Sequence, residues 1–202
     1  LNALADAGRH DEARARVQRD TERPYWPAND GRLRLPAAGE DARWEWDTRW
    51  PVFGVDWYDA CAFCSWRSAR DGRLYTLLHE EEYEKAARGV DGRVFPWGNR
   101  YDGTFSHTNA SLANRVSPLP VGSFPIDESP YGVRDLAGGV YTWCLNSPEA
   151  PQQHWRILRG TSWSNAWTSA WPAHRRGNPP RNLFWSHGLR LAFRPWAWPQ
   201  NP

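Results

Sequence analysis

The sequence predicts an α+β fold with two main helices, many short strands and long loops. Apolar residues recur at helical spacing over residues 51–70 and 77–88, which indicates two helices. Short runs of alternating apolar residues at 140–144, 155–158 and 189–193 are typical of β-strands. The stretches between them are rich in Pro, Gly, Asn and Asp, which favour turns and loops.

The N-terminal part is expected to differ from the rest. Over residues 1–20 the apolar side chains follow a helix-like stripe, which predicts a helix and a remnant of an upstream region. Residues 21–202 are expected to form one domain, long enough to bury a core. Its first part is predicted to be loop with short strands at 32–35 and 43–46. Because the chain begins without Met and shows no signal peptide, we expect a fragment of a longer, cytoplasmic protein.

Two helices are expected next. Asp56 is the predicted N-cap of the first, whose residues Ala60, Phe63 and Cys64 are expected to pack in the core. Cys61 and Cys64 form a C-x-x-C pattern, which occurs in redox pairs and zinc sites. Core packing is favoured, because no second ligand pair stands at short spacing. The second helix, over 77–88, begins with glutamates and ends with basic residues, as the helix dipole favours, and these charges predict a solvated face.

Three shorter elements follow. The motif GRVFPWG at 92–98 predicts a tight aromatic turn, residues 121–124 an extended stretch, and residues 140–144 a strand.

Residues 164–187 differ from every other part of the chain. They mix Asn, Ser, Arg and His with large aromatics and show no period of 2 or 3.6, which predicts an irregular contact surface between the strands at 155–158 and 189–193. Aromatic residues and Arg carry most of the binding energy of protein interfaces. We therefore interpret the four large aromatic residues as contact residues rather than core residues; they are Trp167, Trp171, Phe184 and Trp185. Arg175 and Arg190 are expected to pair with the scaffold. The predicted ligand-binding residues are Ser164, Asn165, Trp167, Thr168, Trp171, His174, Arg176, Asn178, Arg181, Leu183, Phe184, Trp185, Ser186 and His187.

Composition limits the classes of partner. The chain has 202 residues, a net charge of +2 and 25 basic residues, of which Lys85 is the only lysine. The preference for Arg is compatible with a thermophilic or GC-rich source. No block concentrates the arginines and no apolar run approaches the roughly 20 residues of a membrane span, so neither nucleic acid nor a membrane is the predicted partner.

Seven motifs together resemble one family. They are PVFGVDWYDACAFCSW, LLHEEEYEKAARG, FPWGN, LPVGSFPID, YGVRDLAGGVYTW, ILRGTSW and GLRLAF. Their order and spacing over residues 51–194 resemble the formylglycine-generating enzyme domain of the sulfatase-modifying factor family. The resemblance implies a variant of the C-type lectin fold, with two helices, small twisted sheets and an irregular surface.

Departures from the family pattern argue against catalysis. The cysteine pair that binds copper in active members falls on Asn165 and Ala170, and neither residue supplies a thiolate. The family's calcium-binding Asn and Glu fall on Gly139 and Thr142, while half of a second calcium site remains open at Asn109. An iron-dependent branch takes its histidines from a preceding helical domain, and only His10 lies upstream. No cofactor, catalytic residue or bound metal is therefore predicted, and His174 and His187 lack partners at ligand spacing.

A different branch of the family resembles the chain better: the variable proteins of diversity-generating retroelements, which display a hypervariable C-terminal surface on this fold. The resemblance predicts a monomeric, non-catalytic ligand-binding protein. Its expected partner is a protein, with a glycan or a small molecule as alternatives. Two rival functions stay open: a divergent metal-dependent oxidoreductase, and a structural accessory domain of a larger signalling protein.

Overall fold

The computed structural model describes residues 28–29, 32–37, 39, 45–112 and 117–195. They belong to two compact units, Leu1–Trp50 and Pro51–Pro202. In the first unit, strand β1 (Ala28–Asn29) pairs antiparallel with β2 (Arg32–Leu33). The helix predicted over 1–20 lies outside the described residues. So does half of the strand predicted over 43–46, whose remaining residues 45–46 are not in a strand.

The second unit contains two helices and six strands among its described residues. In chain order these are α1 (Trp57–Asp71), β3 (Leu74–Leu77), α2 (Glu80–Arg88), β4 (Tyr141–Trp143), β5 (Arg156–Arg159), β6 (Arg175–Asn178), β7 (His187–Gly188) and β8 (Leu191–Arg194). β3 pairs antiparallel with β8, and a second sheet has the order β6-β5-β4-β7, in which β4 and β7 are parallel. The predicted α+β class is confirmed. No helix in the described ranges is long and apolar enough to cross a bilayer.

Helix α1 begins and ends as its sequence requires. The Asp56 carboxylate accepts a hydrogen bond from the Asp59 amide at 2.7 Å, which confirms the predicted N-cap. At the other end Gly72 adopts φ 63°, the left-handed conformation that closes many helices and that favours glycine.

One side of α1 packs on the four-stranded sheet. Ala60 and Cys64 join a core cluster with Trp143 and Leu158, and Cys61 packs at its edge, which confirms the core interpretation of the two cysteines. Phe63 was expected in this core, but its side chain is 39% exposed. The periodicity of the sequence indicated a helix without showing which of its apolar residues the sheet would cover.

Helix α2 begins three residues later than predicted. Leu77 pairs with Leu191 in the β3–β8 sheet, so the chain is still extended at the position where the sequence predicted helix. The His79 amide then donates to the Glu82 carboxylate at 2.8 Å, and the helix begins at Glu80. Glu80 is not part of a solvated face, because its side chain is largely buried in an ion pair with Arg175.

The three remaining predictions have different outcomes. Residues 121–124 form a turn instead of an extended stretch, closed by the hydrogen bond from the Ser123 amide to the Pro120 carbonyl. The strand predicted over 189–193 is present but begins two residues later, since β8 covers Leu191–Arg194 and pairs with β3. The turn within 92–98 is confirmed, since Phe95 and Gly98 exchange backbone hydrogen bonds of 2.8 and 3.1 Å.

The N-cap provides a direct test of the α1 assignment. Replacing Asp56 by Ala leaves a first-turn amide without its acceptor, so we expect the free energy of unfolding in urea to fall by about 1 kcal/mol. Asp56→Asn keeps an acceptor and is the matched control, expected to change stability far less. Equal losses in the two variants would show that the cap does not contribute.

Candidate functional site

Residues 164–187 supply both edges of the four-stranded sheet. The segment leaves β5, forms a 3-10 turn at Trp167–Ser169, returns as edge strand β6, and returns again at His187 in β7 on the opposite edge. As predicted, most of the segment lies outside helices and strands, although Arg175–Asn178 form β6 and His187 begins β7. Its strands are short and polar, which is why their period was not detected in the sequence.

Helix α2 fixes β6 through charge. Arg159 on β5 is almost fully buried and pairs with Glu84, and it also donates to the carbonyl of Ala173 at 2.8 Å. Next to it, Arg175 on β6 pairs with Glu80 through two hydrogen bonds of 2.7 and 2.8 Å. Bidentate pairs of this kind combine strength with defined geometry. The predicted pairing of Arg175 with the scaffold is confirmed.

The second predicted scaffold arginine behaves in the same way. Arg190 donates to the carbonyls of Arg134 and Asp135 at 2.9 and 3.2 Å. It therefore joins the chain beyond β7 to the loop that precedes β4.

The turn after β6 is attached to the start of α1. The Pro180 carbonyl accepts a hydrogen bond of 2.9 Å from the Trp57 amide, which has no acceptor within its own helix. One residue further, the Arg181 guanidinium lies 5.0 Å from the centre of the Tyr58 ring. At the beginning of the segment, the Asn165 carbonyl accepts from the Asn109 amide at 3.0 Å. The backbone is thus held at Asn165 and at Pro180 by scaffold residues that are distant in sequence.

The predicted site residues divide into three groups by exposure. The exposed group, named here the display surface, consists of Trp167, Thr168, Trp171, Arg176, Arg181 and Phe184. The half-buried group consists of Ser164, Asn165, His174, Leu183 and Trp185. The buried group consists of Asn178, Ser186 and His187, whose side chains are too little exposed to contact a large partner.

Trp167 ends a stack of aromatic rings. It stacks on Tyr101 with ring centres 4.5 Å apart, and Tyr101 lies 5.8 Å from Phe95, which stacks on Trp97 at 5.0 Å. Phe95 belongs to a buried cluster that includes Ala170. The stack therefore holds an exposed tryptophan, with 39% of its surface accessible, on a rigid base.

A second aromatic centre lies under the middle of the segment. The buried Tyr141 ring has Arg176 5.9 Å above its centre, His174 at 6.4 Å and His187 at 5.9 Å. The His187 ring in turn lies 5.3 Å from the exposed ring of Phe184. Tyr141 and His187 thus support Arg176, His174 and Phe184, which were all predicted to belong to the contact surface.

Sequence reasoning missed three supporting tyrosines, Tyr58, Tyr101 and Tyr141. All three lie outside residues 164–187 and reach the segment only through the tertiary fold. No local pattern in the sequence distinguishes them from other aromatic residues of the chain.

The charge of this region at neutral pH comes from arginine. Burial, together with the Arg176 charge, lowers the pKa of His187 to about 3, so this ring is neutral. Burial also lowers the pKa of His174. Within the described part of the chain, no carboxylate lies within salt-bridge distance of Arg176 or Arg181.

Comparison with known proteins identifies the family. A family model described as sulfatase-modifying factor enzyme 1-like domain matches residues 10–195. The chain belongs to this family.

A bovine relative, inactive C-alpha-formylglycine-generating enzyme 2, is 34% identical over 185 residues, which cover 85% of this chain and 56% of the relative. A mouse formylglycine-generating enzyme is 31% identical over 133 residues, covering 59% of this chain and 33% of the enzyme. Membership of the sulfatase-modifying factor family therefore does not decide catalysis, and the chain spans only about half the length of the first relatives.

Two solved structures share the fold. PvdO from Pseudomonas aeruginosa superposes with a TM-score of 0.67 at 25% identity, covering 83% of this chain and 70% of PvdO. Treponema denticola variable protein 1 superposes with a TM-score of 0.66 at 21% identity, covering 79% of this chain and 75% of that protein. The predicted C-type lectin fold is confirmed.

The residues at the family's copper position do not fit the metal. Asn165 Oδ1 accepts a hydrogen bond of 2.5 Å from the Ser162 hydroxyl, and Ala170 is fully buried in a cluster with Phe95. Burial raises the pKa of Cys61 to about 12, so its thiolate form is disfavoured. Burial likewise raises the pKa of Cys64 to about 11 and of Cys144 to about 12.

The calcium positions do not fit either. Gly139 carries no side chain, and Thr142 is buried within β4, so neither offers a carboxylate. Asn109, the remaining residue of the second calcium site, is exposed. Among the described residues, no group of three or more His, Cys, Asp or Glu side chains is placed to hold a metal.

The buried histidine beneath the display surface predicts a pH effect on stability. Because the folded pKa of His187 is about 3 and the ordinary value is 6.5, the unfolded chain binds the extra proton as pH falls below 6.5. Its contribution to stability is therefore lost progressively between pH 6.5 and about 3. His187→Phe should make the acid-induced loss shallower by up to about 1.4 kcal/mol per pH unit, measured by urea unfolding across this range.

The exposed His154 supplies the control for that experiment. His154→Phe makes the same exchange at an exposed position and is the matched control for the loss of a histidine ring. If the free energy of unfolding fell with pH equally steeply in His187→Phe and in the parent chain, His187 would not be buried in its neutral form.

Proposed function

We propose that this chain is a non-catalytic ligand-binding protein that displays residues 164–187 on a C-type lectin scaffold, in the manner of the variable proteins of diversity-generating retroelements. One observation carries the proposal: large aromatic side chains are exposed from a segment whose backbone is fixed. Trp167, Trp171 and Phe184 are 39%, 46% and 44% exposed, while the segment that carries them forms both edges of the sheet.

Scaffold and display positions alternate within the segment. Ala170 and Asn178 are buried, and a Cβ added at Gly188 would lie 2.5 Å from the Val52 carbonyl, so each of these positions tolerates little change. The exposed residues Trp171, Arg176 and Phe184 lie between them and do not fill the core. Substitution at the exposed positions would alter the binding specificity without removing the contacts that hold the backbone.

A protein is the partner that this surface suits best. Protein interfaces concentrate their binding energy in Trp, Tyr and Arg anchored on rigid supports, and the display surface combines Trp167, Trp171, Phe184 and two arginines. The aromatic stack beneath Trp167 reduces the entropy lost on binding, because the ring is already held in place.

The oxidoreductase alternative has less support. Active members that use copper need two thiolates, and the matching positions are Asn165 and Ala170. The bovine and mouse relatives named inactive are also among the matches to this chain. Conversion of a cysteine-containing peptide to its aldehyde by the purified chain would overturn the proposal.

Genome sequence provides a test of the display function. A reverse-transcriptase gene beside this gene, with a template repeat that differs from it only at adenines, is the expected arrangement. Substitutions among related copies should fall on the display surface and spare Ala170, Asn178 and Gly188. Substitutions spread evenly over buried and exposed positions would contradict selective diversification.

Truncation of exposed aromatics separates display from structural function. Trp171→Ala and Phe184→Ala should each change the free energy of unfolding by no more than about 0.5 kcal/mol, as is usual for surface positions. Trp163→Ala, at a fully buried tryptophan of the same fold, is the matched control and should cost about 3–5 kcal/mol. Losses at Trp171 and Phe184 as large as at Trp163 would favour a purely structural domain.

A further inference from the structure

The C-terminal quarter of the chain has a one-sided charge. After Glu149 the sequence contains no Asp or Glu. Over the same stretch it contains arginines at positions 156, 159, 175, 176, 181, 190 and 194. The small net charge of the whole chain conceals this asymmetry.

Most of these arginines have structural partners. Arg159 and Arg175 pair with the glutamates of α2, and Arg194 pairs with Glu82 at 2.8 Å. Arg190 donates to two backbone carbonyls, as described above. Arg156 donates to the Ser147 hydroxyl and lies over the Trp57 ring.

Arg176 and Arg181 differ from the others. Both are exposed, and each guanidinium lies over a tyrosine ring, Tyr141 in one case and Tyr58 in the other, at 5.9 and 5.0 Å. A guanidinium that contacts a ring through its face keeps the N–H groups of its edge available for a carboxylate. Contact with the ring also restricts the side chain, so less entropy is lost when a carboxylate binds.

We infer, on the basis of the proposed display function, that the partner is a protein whose contact surface is acidic and presents carboxylates beside apolar side chains. The segment offers two arginines without a carboxylate partner among the described residues, and no acidic residue of its own. Phe184 supplies an apolar contact, since its ring lies on His187, and the Tyr141 ring beneath Arg176 contacts the same histidine. Complementary charge of this kind selects partners and accelerates their association.

The same features disfavour a polyanionic polymer. Nucleic acids and sulfated glycans are bound through rows of basic residues that follow a charged backbone. Here only two arginines are available, and they share the display surface with Trp167, Trp171 and Phe184. Such a combination is typical of protein interfaces.

Selection from a phage-displayed library of random short peptides tests this inference, with the full 202-residue chain as bait. We expect the selected peptides to be enriched in Asp or Glu next to an aromatic or aliphatic residue. Their dissociation constants should rise about tenfold or more for Arg176→Glu and for Arg181→Glu, and should rise with salt concentration.

Arg73→Glu is the matched control. Arg73 is exposed and lies 5.6 Å over the ring of Phe193 on the β3–β8 sheet, so the substitution makes the same charge change at the same kind of contact. It should leave peptide affinity unchanged. Arg176→Gln, which removes the charge without reversing it, should weaken binding in the same direction as Arg176→Glu if that variant fails to fold.

The outcomes distinguish the inference from the function on which it rests. Peptides that require Trp171 and Phe184 but neither arginine would retain the display function and overturn the acidic partner. Tighter binding of heparin than of any selected peptide, dependent on both arginines, would also overturn it. Peptides that depend on no residue of 164–187 would overturn the display function itself.

Discussion

The ion pairs between helix α2 and the edge of the four-stranded sheet are the constraint on which the display surface depends. Arg159 is only 3% exposed, and its charge must be compensated where it lies, by Glu84 and by the backbone carbonyl of Ala173. Removal of one partner from such a buried pair is typically costly, by about 3–5 kcal/mol, because the remaining charge is left without compensation. The position of β6, and of the residues that follow it, therefore depends on the pairing of Arg159 with Glu84 and with the Ala173 carbonyl.

The lowered pKa of Glu84 is consistent with its pairing with Arg159. Burial acts to raise the pKa of its carboxyl, but hydrogen bonds from Arg88 and Arg159 outweigh burial, so the pKa lies below its ordinary value. The contribution to stability is therefore present above the ordinary carboxylate pKa and is lost as pH falls below it. Arg175 joins β6 to helix α2 beside this pair, through its two hydrogen bonds to Glu80.

This arrangement separates two tasks that many binding loops must combine. Backbone hydrogen bonds at Asn165, Pro180 and His187 join the segment to distant parts of the scaffold. The ion pairs of Arg159 and Arg175 add to this attachment, and neither arginine belongs to the display surface. The chain keeps the fold of the sulfatase-modifying factor family, with Asn165 and Ala170 in the segment that follows β5.

The sequence by itself determined the α+β class, the two helices with the Asp56 cap, the core role of Cys64, and the pairing of Arg175 and Arg190 with the scaffold. These properties follow from local periodicity, capping chemistry and the residue types of ordered motifs. Only the tertiary structure decided that helix α2 begins at Glu80, that residues 164–187 form both sheet edges, and that Asn178, Ser186 and His187 are buried. The physical reason is that edge pairing and burial depend on partners far along the chain, such as Leu191 for β3 and Tyr141 for His187, and no short window of sequence contains both members of such a pair.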